Sequence, residues 1–537
     1  MKNADSNSQF LKQATILASA GLIARLLGFL YRIPMQNILG DDGTGVYGAG
    51  YNLYMFFFVL SSAGMPAAIA KMVSARTALK QHQNALKVLH VSLIISGVLG
   101  FIGMSAMFLG ASFLSAFFNS YHVVYSLMAL APTVLIVAIM SVFRGYFQGL
   151  GNSMPTAISQ VLEQILNAIF SVVLVYILID EGIGIAAAGG TAASGIGAFF
   201  GLLFILFVYA IGRDRRVARI RKHRQIHKPE SGRKIAIELI STAVPIIAGT
   251  AVFTITNIID TRMVVGILQD TGFTYNEAWR LYGQLNGKYV VITTLPVAIA
   301  AAISTALIPS ISKSIALKTN QEIMHKTNMA LRFAMIICVP AAMGIGVMAH
   351  QILLFLFPNN PDGGALLQVG AVSILFLALN QVSTGILHGM HILKVPLVAA
   401  LLGAAVKVGL NYVLISMPNI NIIGAVISTT VCYLIASTIN LTTVYKATGA
   451  KVDVFGIFVK PIFASIVMGF VCFVIYYFVY LLFPSNSISL LFAIGFSIVT
   501  YFSTMIFIGG ITRQELVHLP MGYKMIARLE NIGVRLQ

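Results

Sequence analysis

Long apolar stretches separated by short polar gaps run the length of the chain. A helix needs roughly 20 apolar residues to cross the hydrocarbon of a bilayer. Such stretches cover residues 13–33, 47–70, 88–110, 123–143, 157–179, 184–211, 236–259, 281–309, 328–350, 364–387, 395–416, 422–445, 455–481 and 488–510. They predict an all-α polytopic membrane protein with 14 transmembrane helices, because a helix satisfies its own backbone polar groups where no water is present. No cleavable signal peptide is expected. The first stretch carries Arg25 and lacks a short apolar core ending in small residues.

The gaps give the orientation. All but seven of the 35 basic residues fall in every second gap; the seven are Arg25, Arg32, Arg262, Arg280, Lys288, Arg332 and Lys407. The intervening gaps hold acids: Asp41, Asp42, Asp180, Glu181, Asp260, Asp270, Glu277 and Asp362. Lys and Arg collect on the cytoplasmic side. Both termini are therefore expected in the cytoplasm of a multi-pass cytoplasmic-membrane protein. Losing one span would invert every later gap.

Composition agrees: 58% hydrophobic residues is more, and 10% charged residues far fewer, than a soluble globular domain uses, and mean hydropathy is +0.88. The net charge of +18 is then mainly an orientation signal. The run Arg213, Arg215, Arg216, Arg219, Arg221, Lys222 and Arg224 is expected to rest on anionic lipid headgroups, so membrane lipids and not nucleic acid are its partner. Cys338, Cys432 and Cys472 all fall inside apolar stretches and imply neither a disulfide framework nor a metal site.

A direct repeat organises the chain. Gly145, Gln148 and Gly149 close the fourth stretch as Gly385, His388 and Gly389 close the tenth, with Pro155 and Pro396 following. Gly184 opens the sixth stretch as Gly424 opens the twelfth, at the same offset of 240 residues. An even number of spans per repeat makes the halves parallel, about an axis along the membrane normal. The expected organisation is two pseudo-symmetric six-helix lobes, 1–211 and 235–450, joined by a basic cytoplasmic linker at 212–234. Two C-terminal helices follow within 451–511, then a cytoplasmic tail at 512–537.

Few ionisable residues remain inside the stretches: Arg25, Arg32, Glu163, Lys288 and Lys407, with Arg332 close enough to an end to snorkel. Arg25 and Arg32 are seven residues apart, about two helical turns on nearly one face. A charge in hydrocarbon is costly and marks a partner or a wet cavity. Glu163 is expected to pair with one of these cations. The remaining excess of positive charge points to a water-filled cavity between the lobes that receives an anion. Arginine suits a pyrophosphate through its planar fork; a carboxylate or sulfate fits the residues as well. Gly283, Gly287 and Lys288 fall one residue short of a phosphate-binding loop and lack its Ser or Thr. His388 and His391 have no carboxylate or cysteine beside them and read as an interfacial pair. Neither a nucleophile–His–acid set nor ATP use is indicated, so no enzyme and no cofactor are expected.

Some of these residues resemble a known family. Arg25, Gly28, Arg32 and Pro34, followed by Leu39, Gly40, Asp41, Gly43, Gly45 and Tyr47, are similar to the opening of the multidrug/oligosaccharidyl-lipid/polysaccharide (MOP) exporters. The nearest branch is the Gram-positive MurJ and SpoVB-like group of lipid II flippases. Arg144 to Gly149, Met154 to Gln164, and Ile308, Pro309 and Lys313 extend the likeness over essentially the whole chain. The resemblance implies a cationic central cavity opening alternately to each side, and a groove for a lipid tail at the last two helices. It implies a peptidoglycan-pathway cargo, an undecaprenyl-pyrophosphate-linked oligosaccharide such as lipid II, moved to the outer leaflet by membrane potential or an ion gradient, and contact with cell-wall synthesis proteins. Arg25 and Arg32 match the family's first-helix basic residues, and Lys288 is the cation nearest its helix-eight arginine. Together with Lys407 and Glu163 they are the expected substrate-binding residues. The rival readings are a cation or drug antiporter of the multidrug-extrusion branch, a membrane-embedded glycosyltransferase or polymerase, and a non-transporting scaffold.

Overall fold

The computed structural model describes residues 2–222, 229–316, 319–449 and 453–510. The expected tail at 512–537 and part of the basic linker lie outside them. Among the described residues there are helices and no strands. They are α1 (Lys2–Phe58), α2 (Met65–Ala78), α3 (His82–Leu109), α4 (Ala111–Phe117), α5 (Val123–Gly149), α6 (Met154–Leu178) and α7 (Ile183–Ile211). Then come α8 (Arg213–Lys222), α9 (Gly232–Asp270), α10 (Tyr275–Gly283), α11 (Val290–Ala316), α12 (Asn320–Val347), α13 (Ala349–Leu356), α14 (Gly364–Gly370) and α15 (Ser373–Gly389). The last are α16 (Lys394–Ile415), α17 (Ile423–Thr448), α18 (Lys460–Leu482) and α19 (Asn486–Phe507). Single π-helical turns occupy Val59–Ala63, Gln284–Tyr289 and Phe455–Val459.

Among the described residues, twelve helical runs are long and apolar enough to cross a membrane, and the count is thirteen if α14 and α15, bent by 47°, are one span. The expected count of fourteen exceeds this by one. The difference lies at 13–33 and 47–70, which belong to one helical run, Ser19–Ala78. Gly40, at φ 73° and ψ 177°, is the kink where two helices meet without a gap. Only glycine adopts that backbone without strain, so the sequence bends there with no loop to mark it.

The chain forms two compact units, Met1–Gly287 with Asn411–Ile422, and Lys288–Leu410 with Ile423–Gln537. The first has its core where α2, α3, α5, α7 and α9 converge, around Met65, Ile69, Leu89, Met140, Ile205 and Leu239, all at most 1% exposed. The second packs α11, α12, α15 and α17 around Leu331, Met335, Ile374, Ile386 and Val444. Both contain the same glycine device. A Cβ at Gly145 would lie 2.8 Å from Pro66 and one at Gly149 2.7 Å from Val73, so α5 lies directly on α2. In the other unit a Cβ at Gly385 would lie 2.1 Å from the Ser304 Oγ and one at Gly389 2.9 Å from Ile311. The glycines of the sequence repeat thus have matching jobs: they let two helices touch without side chains between them, as membrane helices do when no hydrophobic force drives them together.

The outer faces of α18 and α19 are bare hydrocarbon. Phe470 is 70% and Leu481 82% exposed, with Phe463, Phe478 and Val499 also open. Water would not tolerate that surface, and lipid matches it.

Candidate substrate-binding site

α1 carries the first pair of cations. Arg25 is exposed, as are its neighbours Ile23 and Leu26, and its side chain has no ion pair among the described residues. Arg32 is half-buried. It lies among the hydroxyls of Tyr31, Tyr47 and Tyr51, and no carboxylate pairs with it among the described residues. Tyr31 and Tyr47 share a hydrogen bond of 3.2 Å. From there a ladder of rings climbs the far side of Gly40: Tyr47 on Tyr51 at 6.0 Å, Tyr51 on Tyr54 at 5.5 Å, Tyr54 on Phe58 at 6.1 Å. Spacings of three and four residues place these rings on one helical face.

Glu163 sits within electrostatic reach of Tyr51 and Tyr54. Its partner differs from expectation. It pairs with none of Arg25, Arg32, Lys288 or Lys407 in the described contacts. Arg144 Nη2 donates to its Oε2 at 2.7 Å while Arg144 Nε donates to Ser159 Oγ at 2.9 Å. The sequence reading placed Arg144 in an inner gap. α5 in fact runs on to Gly149, which keeps Arg144 in the helix, opposite the Ser159–Glu163 turn of α6. With side chains 15% and 18% exposed, the two ions offset each other's loss of water.

Lys288 is also engaged. It is 1% exposed, and its Nζ donates to the carbonyls of Asn360 at 2.6 Å and Asp362 at 3.0 Å, with the Phe357 ring 5.6 Å away. Carbonyl dipoles and an aromatic face thus replace its hydration. Lys407 is 8% exposed, within α16. Arg332 is half-buried and donates to the Gly510 carbonyl beyond α19 at 2.8 Å.

Three charged groups held inside the helices, Asp41 and Arg76 buried and Asp260 half-buried, were missed in the sequence. Asp41 is 2% exposed and accepts from Gln36 Nε2 at 3.0 Å. Asp260 lies inside α9, which continues to Asp270, and accepts from Asn411 Nδ2 at 2.7 Å. Arg76, 6% exposed, is held by Glu230 at 2.6 Å and Glu238 at 2.7 Å. Assigning acids and bases to gaps hid them, since the gaps are shorter than the apolar stretches suggest. The interior therefore holds more negative charge than the single carboxylate first counted.

In the second unit, α12, α18 and α19 enclose an apolar groove of about 390 Å³. Ile336, Gly344, Met468, Cys472, Ile498 and Tyr501 are among its walls. It is lined almost wholly by carbon and would suit a hydrocarbon chain.

Comparison with known proteins places this geometry. The family model described as polysaccharide biosynthesis protein matches residues 10–315, and the MatE model matches 290–413. Stage V sporulation protein B of Bacillus subtilis (strain 168) is 28% identical over 464 residues, covering 86% of this chain and 88% of that protein. The lipid II flippase MurJ of the same organism is 27% identical over 455 residues, covering 80% and 81%. Among solved structures, the lipid II flippase MurJ in an inward closed conformation superposes with a TM-score of 0.68 at 15% identity, over 92% of this chain and 98% of that one. An inward-facing MATE family multidrug resistance transporter of the MOP superfamily gives 0.65 at 15%, over 81% and 98%. At that identity the structures speak for the fold, and the family model covers more than half the chain. The chain belongs to the polysaccharide biosynthesis protein family, in the MurJ/SpoVB-like branch of the MOP superfamily of multi-span membrane proteins.

Proposed function

We propose that the protein is a flippase that carries an undecaprenyl-pyrophosphate-linked cell-wall sugar, lipid II in the first instance, from the inner to the outer leaflet of the cytoplasmic membrane. The observation that carries this reading is the pair Arg25 and Arg32, two guanidinium groups on one transmembrane helix with no carboxylate of their own among the described residues. The relatives with flippase and sporulation names support it, as does the apolar groove at the last helices, which gives a polyprenyl tail a place beside the bundle.

In this reading Arg25 and Arg32 take the pyrophosphate, each through parallel N–H donors, and the tyrosines around Arg32 fix its orientation. Lys407 adds positive charge from α16. Lys288 and Glu163 act indirectly: Lys288 secures the loop at Asn360–Asp362, and Glu163 holds Arg144. The lobes rock to pass the headgroup across while the tail stays in lipid. A membrane potential, negative inside, favours outward movement of an anion by about 2.3 kcal/mol per charge per 100 mV, so about 4.6 kcal/mol for two charges. The termini lie in the cytoplasm, as the distribution of basic residues implies. The antiporter alternative gains carboxylates from Asp41 and Asp260, yet both already accept hydrogen bonds from Gln36 and Asn411.

Depletion of the protein tests the proposal. The lipid-linked precursor should accumulate in the cytoplasmic leaflet, and the wild-type chain but not the Arg25→Ala/Arg32→Ala variant should clear it. Clearance by a stably folded double variant would remove the arginines from the mechanism.

A further inference from the structure

The chain enters α9 through a charged clasp. Arg76, in the last turn of α2 and 6% exposed, is its centre. Its Nε and Nη2 donate to the two carboxylate oxygens of Glu230 at 3.1 and 2.6 Å, a parallel pair. Nη2 and Nη1 also donate to those of Glu238 at 2.7 and 3.5 Å. Glu230 is held by its backbone as well: its N–H donates to Asn84 Oδ1 at 3.1 Å, and its carbonyl accepts from Lys87 Nζ. Ser231 then caps α9 by accepting from the Lys234 N–H at 3.2 Å. Two cations of the α2–α3 hairpin thus meet two carboxylates at the start of α9, and the charges balance.

Above the clasp α9 loosens. Ile235 and Leu239 are buried in the core of the first unit, and a Cβ at Gly64 would lie 2.7 Å from the Ala243 carbonyl oxygen. Past Ala243 the helix contains Pro245, and a Cβ at Gly249 would meet nothing within 4 Å. Proline removes one backbone hydrogen bond from the helix and gives the inner segment a point at which to swing. The clasp itself is ionic, and the Glu238 side chain in it is 42% exposed, so water and salt reach it. Screening weakens such a tie as it does not weaken a dry apolar contact.

The helix so held opens the second half of the sequence repeat, at residue 235, and it packs within the first compact unit, Met1–Gly287. A tie between the two halves of a repeat is one that their relative movement would strain, and this one is polar, wet and placed below a hinge. We infer that Arg76, Glu230 and Glu238 form a latch on the inner end of α9, closed in this conformation and opened during each transport cycle. Arg76 is then a positioning residue: it acts through α9 and touches no substrate. The inference rests on the proposal that the lobes rock to pass a headgroup across. It adds which contact has to break.

Two measurements on the full-length protein in proteoliposomes test the latch. Asn84→Cys with Glu230→Cys puts a thiol on each side of it, to be joined by a short bis-methanethiosulfonate bridge and released by reductant. Bridged protein should move an undecaprenyl-pyrophosphate-linked sugar no faster than protein-free vesicles do, and reduction should restore transport. Each single-cysteine variant should transport equally with and without the reagent. A tie with only a structural role predicts the opposite, because bridging would strengthen it. Hydrogen exchange reads the same event without mutation: amides of residues 232–240 in the wild type should exchange about threefold faster during turnover of the lipid than in its absence. Bridged protein that transports as fast as reduced protein, or exchange at 232–240 unchanged by turnover, would overturn the latch alone. If the wild type moves no lipid, the parent proposal fails and takes this inference with it.

Discussion

At the scale of single residues, the chain treats the charges on its helices in two ways. Arg144, Arg76 and Lys288 are held by carboxylates or carbonyls, whereas Arg25 and Arg32 have no carboxylate partner among the described residues. Substitutions should separate the classes. Arg144→Ala leaves Glu163 charged and stranded in α6, and should lower stability by about 3 kcal/mol, read as a fall in the melting temperature of the purified protein. Replacing both partners with apolar residues, Arg144→Met with Glu163→Leu, should recover most of that loss. An additive loss in the double variant would mean that the pair has no mutual dependence. Lys288→Met strands the Asn360 and Asp362 carbonyls and should cost about 2 kcal/mol in the same assay. A variant that melts normally yet transports nothing would instead put Lys288 at the substrate.

At the scale of helices, glycine decides where backbones touch. Gly28 and Gly45 belong to the same α1, but a Cβ at Gly28 meets nothing within 4 Å while one at Gly45 meets the Trp279 carbonyl at 2.6 Å. Gly28→Ala should therefore be neutral or slightly stabilising through helix propensity. Gly45→Ala should cost about 1–3 kcal/mol by overpacking, with equal melting of the two variants as the contrary result. Periodicity made the helices legible, because some twenty apolar residues have few other uses. It also exposed the glycine repeat, since Gly145 and Gly385 stand in like places. What it could not supply was partnership across the chain. Gly45 and Trp279 are distant in sequence, and no local pattern joins them. The kink at Gly40 was misread for a related reason: one residue of positive φ breaks the helix inside the polar gap of Asp41 and Asp42, where a loop was expected. Arg144 and Asp260 were assigned to loops because a charge near the end of an apolar run looks like a boundary, when each helix simply continues with its charge paired.

At the scale of the whole molecule, the protein proposed is a flippase for an anionic, lipid-linked headgroup, with the apolar groove of α12, α18 and α19 beside it. Reconstitution puts this to the most direct test. Proteoliposomes are loaded with an undecaprenyl-pyrophosphate-linked sugar in the leaflet matching the cytoplasmic side, and its arrival in the other leaflet is timed with and without an imposed potential. Wild-type protein should move the lipid, faster with the potential negative on the cytoplasmic side, and the Arg25→Ala/Arg32→Ala variant should leave it at the protein-free rate. Equal rates for the wild type and protein-free vesicles, or an undiminished rate in the double variant, would contradict the central claim that the two arginines of α1 carry a phosphorylated headgroup across the membrane.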